Sequence, residues 1–266
     1  MNRVFANVTI GAMTLAAMGV ACTSTWAATV IEYNPVTAGS GNEPQDVSPA
    51  WSADAPGYWS NNGTYLYQNV PAGSSSSYTS PQVAGTMVQG SSNYTVEFKV
   101  RPVTDVGATA STDWYARDLV IWADNVNQYN VIIDKYTTGN SGTGGLRYSS
   151  GAYSENLPNL VTGIDWSTPH TIAASYTGST GNFNIFVDGV LKTTIADSVL
   201  KGSAASYAPW QNAVTIGSPT TAGDVVQNEW YSVRVDNTAM AVPEPTMLGL
   251  AGLSSLMMLR RRRLGR

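Results

Sequence analysis

The chain is poor in the residues on which small catalytic and metal centres are usually built. Its 266 residues include one cysteine, Cys22, and one histidine, His170. A single thiol excludes a disulfide framework, and without a His/Cys cluster no zinc site of ordinary spacing can form. A Ser-His-Asp triad would have to use His170, and no serine lies in the glycine pattern of a nucleophile elbow. Phosphate-cradling glycine loops are also missing. Charge is scarce, at 12% of residues, and its balance is acidic. Between residues 28 and 241, eight Lys and Arg stand against seventeen Asp and Glu, leaving this stretch nine charges negative. Such a surface disfavours nucleic acid and anionic lipid headgroups. Long helical periodicities are absent, which excludes a helix bundle.

The strongest signals lie at the two ends. Arg3 precedes an apolar stretch, Val8 to Ala21, and Thr25-Trp26-Ala27 places small residues at the −3 and −1 positions of a cut after Ala27. Residues 1–27 therefore read as a secretory signal peptide, outside the fold. Cys22 falls inside it, and Gly19, three residues earlier, is not the aliphatic residue a lipidation box needs.

At the other end, Pro243-Glu244-Pro245 favours an open, extended backbone. An uncharged run from Met247 to Leu259 follows, then Arg260, Arg261, Arg262 and Arg263. At ~1.5 Å per residue the run covers about two-thirds of a ~30 Å hydrocarbon core. Snorkelling arginines or local bilayer thinning would supply the rest. The arginines read as a cytoplasmic stop that leaves the body of the chain outside. Box, span and arginines in this order resemble the PEP-CTERM sorting signal. The resemblance implies processing by an exosortase, a transient membrane stage through the C-terminal helix, and delivery to the cell surface or extracellular matrix. The expected organisation is a signal peptide at 1–27, one domain at 28–241 and a sorting signal at 242–266.

The body is rich in Gly, Ser, Thr, Asn and Tyr, the profile of an all-β domain of many strands and turns. Thr29–Tyr33 reads as a first strand. In Asn93–Arg101, Tyr94, Val96, Phe98 and Val100 alternate with Thr95, Glu97, Lys99 and Arg101, the signature of a half-buried antiparallel strand that Pro102 ends. Residues 115–123 and 128–135 read as a strand pair deep in a sheet, and 71–80 as a low-complexity serine linker. Trp51, Tyr58 and Trp59 suit packing across a sheet edge, with a sugar platform as the alternative. His170–Tyr176, Asn182–Val187 and Val190–Ile195 read as strands, with Asp188-Gly189 as a type I′ hairpin turn. Ala213–Gly217 and Glu229–Asp236 complete the pattern.

The run from Trp166 through this hairpin resembles the LamG-like, concanavalin A-like lectin/glucanase jelly rolls. The resemblance implies a concanavalin A-like jelly-roll β-sandwich. Hydrolases of that fold pair carboxylates two or four residues apart on one strand face. Glu32, Glu43, Glu97, Glu155 and Glu229 all lack such a partner. Lyases of that fold cluster His and Tyr with Arg and Gln. Here the lone His170 is expected to start a strand and pack beside Trp166. The expectation is a non-catalytic, glycan-binding or adhesion module linked to exopolysaccharide or biofilm. The alternatives are a purely structural surface protein and a divergent polysaccharide lyase or glycoside hydrolase. Trp122, Arg147 and Trp230 are the candidate glycan-binding residues, although the core would accept each of them. Calcium is a candidate cofactor through the hard oxygens of Asp118, Asp124 and Asp134.

Overall fold

A computed structural model describes residues 28–88, 90–103, 118–123, 128–134, 144–149, 155–200, 212–218 and 225–240. Within them the chain is all-β, with two antiparallel sheets packed face to face.

The first sheet has eight strands. Its backbone order is β13 (Val190–Ala196), β12 (Asn182–Val187), β11 (His170–Thr177), β6 (Asn93–Pro102), β15 (Val226–Asp236), β4 (Leu66–Val70) and β3 (Trp59–Asn61). The eighth, β1 (Thr29–Tyr33), also pairs with β15. One edge of β15 is therefore shared: Val226–Trp230 meets β4, and Val233–Asp236 meets β1. The second sheet runs β10 (Glu155–Ile164), β9 (Gly144–Ser149), β8 (Gln128–Asp134), β7 (Asp118–Ala123), β14 (Ala213–Ser218), β5 (Ser76–Thr79) and β2 (Ser52–Asp54). The expected pair of residues 115–123 and 128–135 is β7 and β8, in the interior of this sheet.

Alternation decides which side chains meet between the sheets. Tyr94, Val96, Phe98 and Val100 of β6 are buried, whereas Glu97, Lys99 and Arg101 are only partly covered. Phe183 of β12 reaches across to Tyr129 of β8, with ring centroids 4.8 Å apart. Trp59 of β3 meets Tyr78 of β5 at 5.0 Å, and buried Trp51 lies edge-on to Tyr33 at 6.2 Å. The turn residues Asp188 and Gly189 have φ of 51° and 74°, both left-handed, as a type I′ turn requires.

One expectation needs correction. The serine run is not a linker: Ser76–Thr79 is a strand between β14 and β2, with Ser76, Ser77 and Tyr78 buried. Ser76 Oγ receives the Trp59 indole N–H and faces the carbonyls of Asp54 and Ala55, so small hydroxyls fit where a bulky indole needs a polar partner. The expected strand Glu229–Asp236 is present within β15, with an irregularity. A register shift against β6 between Trp230 and Ser232 inserts Tyr231 as an extra residue. Tyr231 and Ser232 are both partly exposed, while Trp230 and Val233 on either side are buried. This bulge changes the face of every residue before it relative to those after it.

Candidate functional site

The bulge assembles a cluster on the outer face of the eight-stranded sheet. In register, Arg101 of β6, Glu229 of β15 and Tyr67 of β4 form a row across three strands. Tyr231 follows on β15, Lys99 lies on β6, and Tyr65 sits just before β4. The Tyr65 ring is 5.6 Å from that of Tyr231 and 6.5 Å from that of Tyr67. Lys99 Nζ lies over the Tyr231 ring, 5.6 Å from its centroid, within the range of a cation–π contact. All three tyrosines are partly exposed, and they form an aromatic ledge bordered by two cations.

Glu229, only 5% exposed, is the anchor beneath the ledge. Arg101 clasps it with two N–H groups, Nε to Oε2 at 2.7 Å and Nη2 to Oε1, and Tyr231 Oη donates to Oε2 at 2.7 Å. Burial works against ionisation of Glu229, but these donors hold it below its ordinary value. Burial and the hydrogen bond to Glu229 push the Tyr231 phenol up to about 12, so it stays a donor. Arg101 is raised by its own hydrogen bonds to Glu229. Both carboxylate oxygens are thus occupied, and Glu229 serves as a brace for the ledge rather than as a base.

A pH prediction follows from the sign of that shift. A carboxyl depressed in the folded state contributes stability that is complete above its unfolded value of ~4.3 and is lost as pH falls through the lower folded value. Glu229→Gln is expected to flatten the acid limb of the stability curve and to cost about 1–2 kcal/mol at neutral pH, limited by the partial exposure of Arg101. Urea melts between pH 3 and 7 check this; parallel curves for the two proteins would show that Glu229 contributes nothing to the acid limb.

His170 lies elsewhere. Its ring packs edge-on to Trp166 at 5.6 Å, as expected from the sequence. Nδ1 is 2.6 Å from Asp188 Oδ2 and Nε2 is 2.7 Å from the Asp165 carbonyl. Both ring nitrogens face oxygen atoms. Burial disfavours the Asp188 carboxylate, yet the Thr171 N–H and the His170 ring hold it below its ordinary range. The pair ties the β12–β13 turn to the start of β11. By parity His170 belongs to the inward-facing set of β11, opposite to the face of Arg101 and Tyr231, so these three side chains are not brought together.

Trp230 is a correction. It is fully buried, and its Nε1 donates to Gln68 Oε1 at 3.0 Å. The bulge after it turns the indole into the core, where no sugar can stack on it. The backbone of Trp122 lies in β7 in register with Val214 and Tyr129, and that of Arg147 in β9 in register with Ile132. Asp118 and Asp134 sit in β7 and β8, with Asp118 in register with Ile133. The side chains of these four, and Asp124 altogether, lie outside what is described. Among the described residues no three His, Cys, Asp or Glu side chains converge as a metal site. Ala27, Pro243, Glu244, Pro245 and Arg260 to Arg263 also lie outside the described residues. Within the described residues no helix is long and apolar enough to cross a membrane.

The ledge residues Tyr65, Tyr67, Lys99, Arg101, Glu229 and Tyr231 were not singled out from the sequence. The one available signal was the outward parity of Lys99 and Arg101 in β6. Their union with Glu229 and Tyr231 depends on a register and a bulge that composition does not encode.

Solved structures of this architecture include the carbohydrate esterase of Shiga toxin-encoding bacteriophage phi24B. It superposes with a TM-score of 0.56 at 14% identity, over 80% of this chain and 100% of that one. The binding domain of botulinum neurotoxin DC, solved with rat synaptotagmin II, gives 0.53 at 13% identity over 80% of this chain and 49% of that one. The receptor binding domain of botulinum neurotoxin D gives 0.50 at 7%, over 80% and 50%. The chain thus spans about half the length of the toxin chains it matches. At these identities the likeness is one of fold. No family model and no curated protein matches the sequence.

Proposed function

We propose that this chain is an exported surface or extracellular-matrix protein whose concanavalin A-like β-sandwich contacts glycans without turning them over. The observation that carries the reading is the tyrosine ledge. Three partly exposed rings stand beside Lys99 and Arg101 on an open sheet face, the combination that sugar recognition draws on. The brace beneath it favours binding over catalysis, because Arg101 and Tyr231 occupy both oxygens of Glu229. Export rests on the signal-peptide pattern and on the PEP-CTERM resemblance of residues 242–266.

The test uses the full-length chain in mild detergent on a glycan array. Binding to a defined sugar class is expected, with a loss of about tenfold or more when Tyr65 and Tyr67 are both replaced by alanine, at an aromatic contribution of about 0.5–1.5 kcal/mol per ring. A flat response from folded protein would instead support a purely structural surface component. Release of reducing ends or unsaturated sugars would support a divergent hydrolase or lyase. For the sorting step, alanines at Pro243-Glu244-Pro245 are expected to leave an unprocessed chain in the inner membrane; normal processing of that variant would end the exosortase proposal.

A further inference from the structure

Charge around the ledge is unevenly placed: Lys99, Arg101 and Arg234 share this face with Glu97, Glu229, Asp236 and, in register with Arg234, Glu32. Arg101 neutralises Glu229. Further along the same face, Arg234 Nε holds Glu97 Oε1 at 3.0 Å and Asp236 Oδ2 at 3.4 Å, and Asp236 Oδ1 also accepts from Thr29 Oγ1 at 2.7 Å. Lys99 lies between these two groups, in register with Ser232 and Thr171. Its neighbours across both strands are therefore hydroxyl residues. Among the described residues its ammonium meets the Tyr231 ring. A ring face attracts the ammonium through its quadrupole and leaves N–H donors available to an anion above it. The Tyr231 phenol is in turn fixed by Glu229, so the position of the ammonium is set in advance and little ordering cost falls on binding.

We infer that the ledge takes a sugar bearing a carboxylate, with the ring lying on Tyr65 and Tyr67 and the carboxylate received by Lys99. This rests on the glycan reading above and names its ligand class. The rest of the body supplies selectivity. With a net charge of minus nine over residues 28–241 it repels polyanions in general, so an acidic glycan gains from this surface only where a cation is presented locally.

The experiment titrates the full-length chain in detergent with oligogalacturonate and oligoalginate, with their methyl esters, and with a sulfated dextran oligomer. The esters keep the ring and mask the charge. The acid forms are expected to bind about tenfold more tightly than the esters, the value of one charge-assisted contact. Lys99→Gln should remove that difference, so that acid and ester bind alike, and Lys99→Arg should retain most of it. Unaltered melting of the Lys99 variants confirms that the fold is intact. Equal binding of acid and ester overturns the carboxylate inference while leaving the glycan reading in place, as does preference for the sulfated oligomer alone. Failure of these probes together with a flat glycan array would remove both.

Discussion

Gly217→Ala is expected to lower the stability of the domain by about 3–5 kcal/mol, a large part of the ~5–15 kcal/mol that holds a typical domain together. Gly217 pairs with Ser77 of β5 and Leu119 of β7 at a φ of 111°, a backbone region that side chains rarely enter. A Cβ there would lie 2.6 Å from the Ser76 carbonyl oxygen, 2.9 Å from Trp59 Cζ2 and 3.2 Å from Ser77 Cα. Two of these three atoms are backbone, and the third belongs to an indole wedged between the sheets, so none can yield cheaply. Gly73 is the control, because it also has a positive φ, 78°, but open space where its Cβ would go. Gly73→Ala should cost about 1 kcal/mol. In thermal melts Gly217→Ala should fall on the order of 10 °C below wild type, or fail to fold at all. Equal melting of the two variants would show that Trp59 does not pack against β14 as described.

The second large effect is expected at Asn61, which is 6% exposed at the end of β3. Its Nδ2 lies near four oxygens: Tyr33 Oη at 3.1 Å, and the carbonyls of Pro35 at 3.3 Å, Gly39 at 2.9 Å and Asn42 at 2.7 Å. Its Oδ1 accepts from the Gly63 N–H at 2.7 Å, and its backbone carbonyl accepts from the Gly41 N–H at 2.8 Å. One side chain thus gathers the loop carrying α1 (Pro35–Ala38) onto the sheet and satisfies carbonyls that are shielded from water. Asn61→Ala is expected to cost about 2–4 kcal/mol, since a buried amide loses its hydrogen bonds to the loop and to Gly63 together. Asn61→Asp should cost more, because it sets a carboxylate against the same carbonyls. Denaturant melts give the magnitude, and limited proteolysis should show early cutting between residues 34 and 43 in both variants. A wild-type digestion pattern would mean that the loop is held by other contacts.

Neither position is visible in the sequence as a key point of the fold. What was legible were the strands whose alternation is regular: β1 at its observed bounds, β6 with its two faces assigned, and the β12–β13 hairpin from its Asp-Gly turn. These depend on local rules, namely period-two burial and turn chemistry. What was not legible depends on partners far away in the chain. Ser76–Thr79 looks like a linker until β14 is known to lie beside it, about 136 positions later in sequence as Thr79 meets Thr215. Trp230, a glycan-binding candidate from the sequence, lies in the core, and Glu229 on the outer face, at a parity that one inserted residue sets and that shows only against β6. The ledge was missed for the same reason, since its six residues come from three strands and one register. His170 was read correctly as a partner of Trp166 because both lie within five positions.

The place of β15 also fixes when this domain can fold. The final strand is not an edge but lies in the middle of its sheet, between β6 on one side and β4 and β1 on the other. The first described residue, Ala28, is joined to Asn237 by a pair of hydrogen bonds spanning 209 positions. A chain that emerges N-terminus first therefore spends most of its synthesis with β1, β4 and β6 lacking their shared neighbour. Closure of the sheet waits for residue 236, and the entropic cost of these distant pairings makes that closure slow. Until then its unpaired strand edges are exposed to any factor that guards against aggregation.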